Sequence, residues 1–92
     1  MSKSIESALV ACRRAEALLQ GATEPADDVE ASQRRLCQEQ LAAMISQLKS
    51  GSLPARSRRV AVMGQMVADQ WDPRAELTNA VLAAEQDYLA VP

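Results

Sequence analysis

The chain has 92 residues, enough for one small domain with a modest core. Alanine is prominent among its apolar residues, phenylalanine is absent, and tryptophan and tyrosine occur once each. A net charge of −2 and the lack of histidine argue against nucleic-acid binding, against the usual neutral-pH general base and against the commonest metal ligand.

A core this poor in large side chains depends on close helix approach. It leans on a partner, or on a second copy of the chain in a homodimer, for part of its stability. Arg13 and Arg14 cut the apolar run of residues 8–12 too short for a signal-peptide core, and no apolar stretch reaches membrane-spanning length. A soluble, cytoplasmic protein with no membrane partner is expected. Two cysteines cannot close a zinc site, and no phosphate loop or nucleophile elbow is present. No metal, no cofactor and no catalytic residues are therefore expected.

The spacing predicts four helices. The first covers residues 3–20, capped by Ser2 or Ser4 and ended by Gly21, with Ile5, Ala8, Leu9, Cys12, Ala15 and Leu19 on one face. The second covers 26–49, with Pro25 at its entry and Gly51 at its exit. Its stripe is Val29, Leu36, Cys37, Leu41, Met44, Ile45 and Leu48. It is acidic at the start and basic at the end, which suits the helix dipole. The third covers 55–71, with Val60, Met63, Val67 and Trp71 on one face and Val62 and Met66 on another. Asp72 caps a fourth helix that begins at Pro73 and runs to residue 90, carrying Leu77, Ala80, Val81, Ala84 and Tyr88.

Short connections make neighbours antiparallel. Folding the last two helices at Asp72 sets Val67 opposite Leu77, Met63 opposite Val81 and Val60 opposite Ala84. The first pair sets Ile5 against Met44, Ala8 against Leu41 and Cys12 against Cys37. The expected fold is all-α: two packed antiparallel helical hairpins forming a small bundle, one domain over 1–92.

Most polar features read as ordinary surface. Arg34 has Glu30 one turn back, Arg35 has Glu39 one turn ahead and Arg13 has Glu16, all at helical pairing distance. Asp69, Asp72, Glu76, Glu85 and Asp87 read as a solvated acidic face. Cys12 and Cys37 share a level and suit either a disulfide or two reduced core thiols. Arg56, Arg58 and Arg59 open the third helix against its dipole, which calls for an anionic partner or an internal one. Tyr88, expected opposite Arg56, would accept one of them by a cation–π contact. As a DNA-reading element the segment is weak, because Val60, Ala61 and Val62 follow at once. Gly64 costs about 1 kcal/mol against alanine in a helix interior, which the close approach of another backbone would justify. Val62 and Met66 pack either on the first hairpin or on a partner.

The pattern Gly64-x-Met66-x-x-Asp69-Gln70-Trp71-Asp72, followed by Glu76-Leu77-x-x-Ala80 and then Tyr88, resembles small all-helical immunity proteins. The group is the one that neutralises NAD(P)-degrading toxins of bacterial type VI secretion. The resemblance covers about the last third of the chain; the first two helices match only in length and amphipathic character. This sequence has a shorter turn after Trp71, with Pro73 directly after Asp72. The resemblance implies a protein–protein inhibitor with no catalysis, whose partner is a cognate toxin or effector domain and whose action is occlusion of the toxin's active site. The residues expected to bind the partner are Arg58, Arg59, Asp69, Gln70 and Asp72 as exposed side chains, with Trp71 as core or contact. The alternative is a small acidic secretion or export chaperone that holds an amphipathic client segment.

Overall fold

The computed structural model describes residues 3–59 and 62–92. Ser2 as a cap and Val60 as the neighbour of Ala84 lie outside them. The described residues form four α-helices: α1 at Ile5–Gln20, α2 at Asp28–Ser50, α3 at Met63–Gln70 and α4 at Glu76–Ala90, with a short 3-10 turn at Arg56–Arg58. Among the described residues no strand occurs and no helix is long and apolar enough to cross a membrane.

Local chemistry explains where the first two helices begin and end. Ser4 is extended and its Oγ accepts from the Ser7 N–H at 3.0 Å, a side-chain N-cap. Asp27 does the same for Glu30 at 2.8 Å, and the Glu30 carboxylate reaches back to the Ala26 N–H. These two contacts, a side-chain N-cap and a carboxylate on the preceding N–H, start α2 at Asp28, two residues later than Pro25 and Ala26 suggest. Gly51 ends α2 with φ of 74°, the left-handed conformation that glycine adopts without cost.

The helices pack as a small bundle in which α1 is central, lying against α2 on one side and α4 on the other; α3 packs mainly on α4. The contacts of α1 with α4 are antiparallel. At one end the Lys3 N–H donates to the Ala90 carbonyl at 3.1 Å, and at the other Arg14 pairs with Glu76 at 3.0 Å. Ala8, Cys12 and Ala15 are fully buried on α1, so small side chains allow the close approach that this core requires. Cys37, Leu41, Met44 and Leu48 join from α2, Met63 and Val67 from α3, and Val81, Ala84 and Tyr88 from α4. Met66 packs against this core from its edge.

The stripes run out at helix starts. Ile5, expected against Met44, is 40% exposed, and Val29 is 63% exposed. Each lies in the first turn of its helix, where the bundle no longer covers the face. The third helix is also shorter than its apolar pattern suggests. In place of one helix over 55–71, a 3-10 turn precedes an α-helix of eight residues. Arg59 is extended at φ −72° and ψ 126°, and that conformation interrupts the helix while sending the side chain inward.

Candidate functional site

An open groove of about 370 Å³ lies where the α3–α4 turn meets the N-terminal turn of α2. Trp71 closes α3, its N–H bonded to the Val67 carbonyl at 3.0 Å. Its indole is half-buried, and Nε1 donates to Gln33 Oε1 on α2 at 2.9 Å, which fixes the ring across the two elements. Gln70 and Asp72 line the groove beside it, and Asp27, Val29 and Glu30 line it from α2.

Asp72 does not cap α4 as expected. Its Oδ1 accepts from the Arg74 N–H at 2.9 Å and its carbonyl from the Ala75 N–H at 3.1 Å, forming a compact turn ahead of the helix. Helix α4 begins at Glu76, three residues after Pro73, with no side-chain cap at Ala75. The extra turn sets Asp72 beside Trp71 on the groove rather than inside a helix terminus.

The six residues expected to bind a partner divide by position. Gln70, Trp71 and Asp72 converge on the groove. Asp69 is exposed on α3 but does not line it. Arg58 is exposed before the other end of α3, lining a separate depression with Gln47 and Tyr88. Arg59 was expected to be exposed and is instead only 9% accessible. Its Nη1 donates to the Tyr88 carbonyl at 2.9 Å and to the Val91 carbonyl, its Nη2 to the Pro92 carbonyl at 3.4 Å, and its Nε to the Pro54 carbonyl at 3.0 Å. Its guanidinium also sits 5.6 Å from the centre of the Tyr88 ring. The cation–π contact thus belongs to Arg59, while Arg56 donates to the Ala90 carbonyl at 3.0 Å. Both arginines serve the C-terminus of α4, whose carbonyls lack helical partners and whose dipole favours a cation. Their unfavourable place at the start of the expected third helix is resolved internally.

Glu85, expected on the solvated face, is 8% exposed. Its carboxylate accepts the Gly64 N–H at 2.6 Å in the first turn of α3. A Cβ at position 64 would stand 2.6 Å from Oε1, so the glycine makes room for a carboxylate and not for another backbone. Burial pushes the Glu85 pKa up, while the hydrogen bond from Gly64 pulls it down. Tyr88 donates its hydroxyl to Gln47 Oε1, and burial raises its pKa against the opposing pull of Arg59. Cys12 and Cys37 are free and buried, their thiols pushed up to about 11 chiefly by desolvation, with nearby carboxylates adding to it. Buried thiols at that pKa are poor nucleophiles at neutral pH. Among the described residues no cluster of histidine, cysteine or carboxylate side chains could hold a metal.

The other wall of the groove, Asp27, Val29, Glu30 and Gln33, is not expected from the sequence to face a partner; Val29 reads there as core stripe and Glu30 as the neighbour of Arg34. One signal pointed to it. Val29 stands a full seven residues before Leu36, with Ser32 and Gln33 at the intervening core positions. A stripe interrupted in that way does not yet face a core. Comparison with protein-family models, with curated proteins and with solved structures found no match.

Proposed function

We propose that this chain is a binding protein without catalysis of its own, an immunity protein that seats on a cognate toxin domain and occludes its active site. One observation carries the reading: Gln70, Trp71 and Asp72, consecutive in the segment that resembles immunity proteins, line an open groove together with the first turn of α2. An aromatic side chain held by a hydrogen bond, with apolar surface and carboxylates around it, has the make-up of an interface anchor. Two other residues of the resembling segment, Gly64 and Tyr88, are accounted for by packing within the fold. Their part in the pattern is to position α3 against α4. The contact surface is the groove and the adjoining exposed face of α3 that carries Asp69.

Co-expression with the cognate toxin domain, to be sought in the neighbouring reading frame, tests the reading. Cells should survive with the chain and die without it, and the two proteins should elute as one complex. A chain that neither protects nor binds excludes the proposal. Capture of an isolated amphipathic segment in place of the folded domain would favour the export-chaperone alternative.

A further inference from the structure

The groove has a composition that restricts what fits it. Val29, 63% exposed, and Leu77 and Trp71, both half-buried, give it apolar walls. Asp27, Glu30 and Asp72 supply carboxylates against a single cation, Arg34. That cation is already engaged: its guanidinium donates to the Thr23 carbonyl and pairs with Glu30 at 3.7 Å. Asp27 and Asp72 have no ion-pair partner among the described residues. Each uses Oδ1 to accept one backbone N–H, from Glu30 and from Arg74 respectively, which leaves the other carboxylate oxygen for an incoming group.

A purely apolar side chain would bury these carboxylates without a partner, and an anionic one would be repelled. A cation on a long apolar stem meets both demands at once. Arginine meets them best, because its planar guanidinium stacks on an indole and donates in parallel to carboxylates. We propose that the groove seats an arginine side chain presented by the partner, with its alkyl stem on Val29, Leu77 and Trp71 and its guanidinium against Asp27 and Asp72. The assignment of that arginine to a toxin domain rests on the function proposed above; the site itself does not.

Trp71 is the only tryptophan of the chain, so its fluorescence reports on the groove alone. The probe is the capped tripeptide acetyl-Ala-Arg-Ala-amide, compared with the same peptide carrying citrulline, which keeps the shape and removes the charge. The arginine peptide should shift the emission saturably with a Kd on the order of 1 mM. The citrulline peptide should bind at least about tenfold more weakly, as expected for loss of a charge-assisted hydrogen bond. Double substitution D27N/D72N should weaken the arginine peptide by about the same factor. Asparagine retains the oxygen that accepts the Glu30 and Arg74 N–H groups and is an equally good N-cap, so the fold survives the change. Equal binding of the two peptides, no saturable shift up to about 10 mM, or an unaffected double variant overturns the arginine site. The co-expression test separates the two ideas. Protection without arginine binding leaves the toxin reading standing and removes this site, and arginine binding without protection does the reverse.

Discussion

The α1–α2 hairpin and the stretch of residues 54–75 are both rich in apolar residues at helical spacing, yet only the first folds as its periodicity suggests. In the hairpin, the α1 face from Ala8 to Leu19 and the α2 face from Cys37 to Leu48 are buried in one core, beyond the exposed first turns. The hairpin's polar residues lie outside that core, Gln33 and Gln47 accepting from Trp71 and Tyr88 at its edge. The later stretch carries the same kind of stripe but three arginines at its head. One of them, Arg59, gains more by turning inward to the carbonyls at the end of α4 than by continuing a helix. Periodicity predicts an element when nothing else competes for its backbone. Where a buried charge has a distant set of acceptors, the tertiary contact decides the local structure.

Four changes should sharpen that contrast. Leu41→Ala, in the regular half, empties a fully buried site and should cost about 3 kcal/mol, read from the urea midpoint at constant slope. A cost below about 1 kcal/mol would mean that the hairpin core is not tightly packed. Arg59→Ala, in the irregular half, should cost about 2 kcal/mol, since it strips charge-assisted hydrogen bonds from the α4 terminus. Lysine at the same position should recover only part of this, lacking the fork that reaches several carbonyls. Arg58→Ala should stay within about 0.5 kcal/mol, as Arg58 is exposed. Equal effects at the two arginines would erase the distinction between them.

The smallest effect is a pH dependence that belongs to α3 and α4. Burial raises the folded pKa of Glu85 above its ordinary 4.5, so the folded state holds this proton more tightly than the unfolded chain. Its contribution to stability is full below about pH 4.5 and declines as pH rises through the folded value. Glu85→Gln keeps an acceptor for the Gly64 N–H and removes the titration. The difference in urea midpoint between wild type and variant should therefore shift in the variant's favour on going from about pH 4 to about pH 7. A difference that is flat over this window would show that the carboxyl is not perturbed.

The groove was partly legible in the sequence. Gln70, Trp71 and Asp72 stood out because a polar run with the only tryptophan follows an apolar helix. The other wall comes from residues about forty positions earlier, and no local pattern ties them to Trp71. The hydrogen bond from the indole to Gln33 does so in space. Glu85 was misread for a related reason. Its neighbours in sequence place it at the edge of the polar face of α4, and only the arrival of the first turn of α3 gives its carboxylate a buried donor.

Helical periodicity, caps and short connections determined from the sequence alone that this is an all-helical bundle, because each apolar stripe had to be covered and only antiparallel neighbours were within reach. The absence of histidine in the chain was equally plain there. Tertiary structure alone decided which arginine is buried, why Gly64 is a glycine, and where Trp71 meets the start of α2. Each of those rests on a polar group and a partner far apart in the chain, and hydrogen-bond satisfaction on burial is settled by geometry that spacing in a sequence does not encode.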